Sequence, residues 1–414
     1  MAKAIPSKKQ LEWADMEIGV IIHYLVNIYN PDFEEYKTEA VRTELSPDRF
    51  SPTRLDPEQW VRSAAEAGAK YAVFVANHCT GFSLWQTKVN DYSCASMEWK
   101  GGKGDVFREF VDACKKYGIR PGVYYSTGCN GYYNINDEWE WDYKSEYYQN
   151  YVKCVEKQVT ELWSEYGEMF EVWFDGGIVP KEEGGPDIFP ILTKYQPEAL
   201  AFQGPVGYAH NLRWVGNEDG VAPEECWGAW NGDDRGGDPD GAYWEPAETD
   251  FPNRTHEAFG GGWGWKENET QYALTPEELL DCYVKSVGRN SNMLIGMAIS
   301  TEGDFEDEEQ FRAFGKLMKE TFGTPKAEWL SPDGAEFPLN VKGAKADYLT
   351  LCEDITAGHN VRAFSVYADG KKICEGHCIG HKRIIPLHGI EADEIKVTLD
   401  EYDEGAKLTK VQIF

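Results

Sequence analysis

Short apolar runs recur through the first three hundred positions, and each stops abruptly at polar side chains. Residues 18–22 (IGVII) stop at His23, and 71–76 (YAVFVA) stop at Asn77 and His78. Residues 122–125 (GVYY) carry their polar atoms on Tyr124 and Tyr125, and 170–174 (FEVWF) stop at Asp175-Gly176-Gly177. Runs of this length read as strands buried on both faces, the pattern of a parallel sheet. The rhythm returns near 199–203, near Trp214 and at 293–295.

Amphipathic helices fill the intervals. Asp56-Pro57-Glu58-Gln59 opens one, with Asp56 as cap, Pro57 in the first turn and Gln59 completing a capping box; Gly68 ends it. A second runs from about 106 to Gly118. A third covers 145–166, with Tyr151, Val152, Val155, Val159, Leu162, Trp163 and Tyr166 on one face. Further helices are predicted from the Thr275-Pro276-Glu277-Glu278 box through 287, and over 307–321. Repeated βα units predict an α/β fold, a (β/α)8-like TIM barrel; a doubly wound open sheet is the alternative. No G-x-G-x-x-G fingerprint or phosphate loop points to a nucleotide.

At 414 residues the chain exceeds one ordinary domain. After a linker at 323–328, short alternating runs at 347–352, 363–367, 383–387 and 394–399 are punctuated by Gly and Asp, which predicts a small β-sandwich. The expected division is a barrel catalytic domain over 1–322 and a C-terminal β-sandwich domain over 328–414.

Charge narrows the partners. Acidic residues outnumber basic ones 71 to 41, for a net charge of −30. Nucleic acid and anionic membranes both require a basic surface, so neither is an expected partner. No run approaches the ~20 apolar residues of a membrane span. The opening MAKAIPSKKQLEW has no apolar core of a signal peptide, and the ten cysteines form no framework of paired spacings; reduced thiols in the cytoplasm are the expectation. Cys374, His377, Cys378 and His381 have ligand types that suit zinc, but no second cysteine pair follows, and ordinary thiols are the preferred reading. No metal and no cofactor is expected. No oligomeric state is legible.

In a parallel barrel the functional face lies at the C-terminal ends of the strands. His23, His78, Tyr124 or Tyr125, and Asp175 are therefore the candidates. Asp175 is the sharpest, since two glycines after it admit a ligand close to the carboxylate. Paired carboxylates would supply acid–base chemistry on a glycosidic bond. The second is sought in 213–218 (RWVGNE) and 243–248 (YWEPAE), giving Glu218 with Trp214 nearby to desolvate it, and Glu248 in reserve. The loop Gly260-Gly261-Gly262-Trp263-Gly264-Trp265 offers two indoles to a sugar without evident structural need for its glycines. The 15 Trp, 23 Tyr and 19 Phe fit sugar stacking as well as a packed core.

At these residues the sequence resembles the α-L-fucosidases of glycoside hydrolase family 29, over roughly residues 10–320. The resemblance rests on AGAKYAVFVANHCTGFSLW (67–85), KGDVFREFVDACKKYGIRPGVYYS (103–126), YGEMFEVWFDGG (166–177), RWVGNE (213–218) and YVKSVGRNSNMLI (283–295). RWVGNE is similar to the subgroup that acts on α-1,3/1,4-linked fucose. The resemblance implies a retaining exo-α-L-fucosidase acting on fucosylated oligosaccharides, with Asp175 as nucleophile and Glu218 as general acid/base. It further implies His23, His78, Tyr124, Trp173, Arg254 and Trp263 as sugar-binding positions. Two places depart from the family pattern. Tyr24 and Leu25 follow His23 where Trp-Gly is usual, and Cys79 and Thr80 stand where a second His and an Asp are usual. Since a thiol hydrogen-bonds weakly, altered hydroxyl recognition is expected there. A non-catalytic fucose/galactose-type glycan-binding protein on a glycosidase scaffold is the alternative from another class, and a glycosidase for a related sugar is the alternative within this one. A barrel isomerase or aldolase would need a metal cluster or a strand-end lysine, and neither is evident.

Overall fold

The computed structural model describes residues 3–29, 48–135, 141–232 and 235–414. Eight parallel strands close a barrel in sequence order: β1 (Ile18–His23), β2 (Tyr71–Asn77), β3 (Arg120–Tyr125), β4 (Glu171–Trp173), β5 (Leu200–Phe202), β6 (Asn211–Trp214), β7 (Ala247–Phe251) and β8 (Asn292–Ala298). The closure is the β1–β8 pair, in register from Ile18 opposite Met293 to His23 opposite Ala298.

Side-chain alternation divides the apolar residues into two cores. Val20, Ile22, Ala72, Phe74, Val123, Val172 and Ala201 point outward and pack beneath the helices. Ile21, Tyr71, Val73, Val75, Tyr124, Trp173, Phe202, Leu212 and Leu294 point inward and fill the barrel. This parity decides between the two tyrosines of β3. Tyr124 faces the interior, whereas Tyr125 faces outward and donates to Gln158 at 2.6 Å.

Around the barrel lie α1 (Lys8–Met16), α2 (Pro57–Ala67), α3 (Val106–Tyr117), α4 (Glu146–Glu165), α5 (Ile188–Tyr195), α6 (Pro276–Lys285) and α7 (Glu308–Phe322). Their ends show why the sequence stops and starts them there. Ser145 caps α4, and Gly68 and Gly118 close α2 and α3 in the left-handed conformation. The Thr275–Glu278 capping box of α6 is complete. That of α2 is not. Asp56 accepts from the Gln59 N–H, but the Gln59 amide turns away to bind Phe305. Among the described residues no helix links β5 to β6 or β6 to β7. The second link carries a two-stranded ribbon, Ala229–Trp230 with Tyr243–Trp244.

Beyond α7, two four-stranded antiparallel sheets face each other. β9 (Ala327–Leu330), β16 (Leu408–Ile413), β11 (Lys345–Glu353) and β14 (Arg383–Glu391) form one. β10 (Glu336–Asn340), β15 (Glu394–Tyr402), β12 (Val361–Ala368) and β13 (Lys371–Gly376) form the other. Leu349, Leu351, Phe364, Val366, Ile395, Val397 and Val411 make their common core.

This unit grips the β6–β7 segment. Glu225 accepts the backbone N–H groups of His377 (3.1 Å) and Cys378 (2.6 Å), and His359 Nε2 accepts the Gly228 N–H at 2.7 Å. Cys374, His377, Cys378 and His381 do not converge. The Cys378 thiol donates to the Cys226 carbonyl, and the His381 ring turns to Asp15 at 3.4 Å.

Candidate active site

At the C-terminal mouth of the barrel lies a cavity of about 220 Å³, room for one monosaccharide-sized unit. It is lined by Ile21, His23, His78, Tyr124, Trp173, Asp175, Glu218, Asp250, Gly260, Gly261 and Trp263.

Strand parity carries Asp175 there. Glu171, Trp173 and Asp175 alternate on one side of β4 and its extension, and that side is the interior. Gly176 and Gly177 follow with φ of 68° and 78°, a left-handed turn that swings the chain away and leaves the carboxylate exposed on the cavity wall. The Tyr124 hydroxyl donates to Asp175 Oδ2 at 2.9 Å. Such a bond favours the ionised carboxylate and fixes its direction.

A ladder of rings stands beside it. His78 stacks on Tyr124 (5.7 Å between centroids), Tyr124 on Trp173 (5.4 Å), and Trp173 on Phe202 (3.9 Å). His23 sits 6.0 Å from His78. Burial, with His78 nearby, pushes His23 down to about 3, and burial pushes His78 down to about 4. Both imidazoles are therefore neutral at ordinary pH and able to donate or accept one hydrogen bond at each nitrogen.

Two loops supply further lining residues. Glu218 follows β6 and is exposed to the cavity, and the Trp263 indole donates to its Oε2 at 2.9 Å. Proximity in sequence makes Trp214 the expected neighbour of Glu218; the structure gives that role to Trp263 and sends the Trp214 indole to Asp250 Oδ1 at 2.7 Å. Trp263 also lies 4.8 Å from the His23 ring. Its indole rests on Gly296 of β8, where an added Cβ would come within 2.7 Å of the ring. The glycine loop is thus structurally required, since a Cβ at Gly262 would meet the Arg254 carbonyl at 2.5 Å. Of its two indoles only Trp263 reaches the cavity; Trp265 donates to Glu306.

Two expected residues lie elsewhere. Arg254 is 1% exposed and absent from the cavity lining, because Asp307 at the start of α7 holds it through Nε at 2.7 Å and an Nη at 3.2 Å. The same carboxylate accepts from Asn253, which explains why Asp307 does not cap α7. Glu248 lies one layer below the cavity, fully buried, with Tyr71 (2.6 Å) and Trp173 (3.0 Å) donating to it. Cys79 and Thr80 are buried and are not among the residues that line the cavity. Tyr24 and Leu25 are buried as well, with the Tyr24 hydroxyl bonded to that of Tyr29.

Asp250 lines the cavity although nothing in the sequence singles it out. Its one signal is the alternation of Glu248 and Asp250 in AETDF, which reads as a polar surface strand but is 4% exposed or less throughout its length.

Comparison with known proteins bears on the family and the fold. The chain matches the Alpha-L-fucosidase family profile over residues 3–321. It is 31% identical to Alpha-L-fucosidase 1 of Arabidopsis thaliana over 74% of this chain; the match spans 58% of that protein, so the chain covers under two thirds of its length. A solved structure from Bacteroides thetaiotaomicron, a candidate alpha-L-fucosidase, is 31% identical with a TM-score of 0.90 over 99% of both chains. A glycoside hydrolase 29 family member from an unknown rumen bacterium is 28% identical, with a TM-score of 0.83 over 100% of this chain and 77% of its own. The barrel, the strand-end carboxylate and a family match over most of the chain make one conclusion: this protein belongs to the alpha-L-fucosidase family of glycoside hydrolases.

Proposed function

We propose that this protein is an exo-acting, retaining α-L-fucosidase that removes terminal α-1,3/1,4-linked fucose from oligosaccharides. The observation that carries the reading is one cavity with Asp175 and Glu218 on its walls and neutral imidazoles beside them. The cavity has room for about one sugar unit and reaches Ile21 of the barrel interior, which supports removal of a terminal sugar. The linkage preference rests on the likeness of RWVGNE to one subgroup.

In the first step an Asp175 oxygen donates its electron pair to the anomeric carbon. The bond to the aglycone oxygen breaks with its electrons, and Glu218 delivers a proton to that oxygen. Glu218, now a carboxylate, takes a proton from water. The water oxygen displaces Asp175, releasing fucose with its configuration kept and regenerating both groups. Tyr124 orients the nucleophile, and Trp263 orients the acid.

Azide distinguishes the two roles. With Asp175→Gly and an activated aryl α-L-fucoside, turnover collapses and azide restores it by direct attack, giving β-L-fucosyl azide. With Glu218→Ala, azide intercepts the glycosyl-enzyme and gives α-L-fucosyl azide. Near-native turnover in Asp175→Gly, or the same azide anomer from both variants, would overturn the assignments.

A further inference from the structure

A third carboxyl lies in the cavity, and the two-step chemistry leaves it without a task. Asp250 is on β7, one inward position above Glu248, at the level of Asp175 and Glu218. Its Oδ1 accepts the Trp214 indole N–H at 2.7 Å. That indole is steadied in turn by Arg235, whose guanidinium lies 5.5 Å from the ring centroid and binds the Gly216 carbonyl. An indole nitrogen only donates, so this contact occupies an acceptor site of Oδ1, and Asp250 itself is among the residues that line the cavity.

We propose that Asp250 is a further substrate-binding residue, which donates a hydrogen bond from its carboxyl O–H to an oxygen of the sugar held between Asp175 and Glu218.

The surroundings dictate the protonated form. The groups facing Asp250 are Glu218 from the loop after β6, Asp175 after β4, and Glu248 on its own strand. His23 of β1 and His78 after β2 share the cavity and are neutral. On β8 the register neighbour is Leu294. Arg235 stands beyond the Trp214 ring. A carboxylate that is 4% exposed and ringed by acids, with the Trp214 indole and its own backbone N–H as donors and no cation against it among the described residues, would be a poorly compensated buried charge. Burial first, and then the neighbouring Glu218, Glu248 and Asp175 carboxyls, hold Asp250 well above the ordinary carboxylate range, against the lowering effect of its own backbone N–H. A neutral acid in that position is a donor, and sugar hydroxyl and ring oxygens accept.

This inference rests on the site being a fucose site, and the test separates the two claims. L-fucose is titrated calorimetrically into the native chain, Asp250→Ala and Asp250→Asn. Failure of the native chain to bind L-fucose would sink the proposed function itself. If it binds, Asp250→Ala weakens binding about tenfold, the effect of one hydrogen bond lost in a desolvated pocket. Asp250→Asn, neutral with an N–H donor and an acceptor for Trp214, recovers most of that loss. In alkaline solution the native chain releases L-fucose as Asp250 ionises, while Asp250→Asn does not. Native affinity in Asp250→Ala would overturn the proposal, as would Asn no better than Ala. If Asp250→Ala does not fold, the alkaline comparison decides: coincident pH profiles for Asp250→Asn and the native chain would overturn it.

Discussion

Tyr124 and Tyr125 are adjacent tyrosines with opposite fates, and the difference is strand parity. One hydroxyl is bonded to Asp175 and the other is sealed under α4. A hydrogen bond from Tyr124 to a charged acceptor is worth about 1.5–3 kcal/mol. Tyr124→Phe should therefore lower kcat/KM on an aryl α-L-fucoside by roughly 10- to 150-fold. Tyr125→Phe should leave kcat/KM near native and act on stability instead. Equal losses from the two substitutions would show that the Tyr124–Asp175 bond has no part in turnover. His23, His78 and Asp175 are legible in the sequence because each is a polar side chain ending an apolar run, and in a parallel barrel such an end opens on the functional face. Arg254 is not so legible. A buried arginine with a carboxylate partner and an arginine that grips a ligand look alike in sequence, and the Asp307 partner lies more than fifty positions away.

Elements repeat the point at larger grain. β7 is unreadable because its inward positions are the acids Glu248 and Asp250, where β2 presents Tyr71, Val73 and Val75 and β5 presents Leu200 and Phe202. Beneath the cavity Glu248 faces Glu171 of β4, and both are fully buried. Glu248 receives the Tyr71 and Trp173 donors, which favour its charge. Burial and the Glu248 charge push Glu171 well above the usual range, so Glu171 holds a proton in the fold. The unfolded chain ionises Glu171 at about pH 4.3. From there upward the folded state binds the extra proton, and stability falls as pH rises toward the folded value. Glu171→Gln removes that dependence while keeping a donor toward Glu248. The variant should be more stable than the native chain by roughly 1–3 kcal/mol at pH 8 and by less at pH 5, read as a higher thermal unfolding midpoint whose excess shrinks at the lower pH. A midpoint lowered equally at both values would contradict the shared-proton arrangement.

For the molecule as a whole, the barrel and the sandwich are legible because each has its own hydrophobic period, and the change of period after Phe322 separates them. Their relation is not legible. Glu225, His359 and the backbone at His377 and Cys378 join across long stretches of chain, and no local pattern reports such pairings. The β6–β7 segment that this contact holds carries Glu218 near its start, so the small domain braces a segment that lines the cavity mouth. The proposed chemistry makes a covalent bond between Asp175 and the sugar, and the stereochemistry of the first product reports on it. Proton NMR of the anomeric region during hydrolysis of an aryl α-L-fucoside, followed before mutarotation, should show α-L-fucose appearing first and the β anomer growing in later. The β anomer appearing first would mean direct attack by water and would contradict the account.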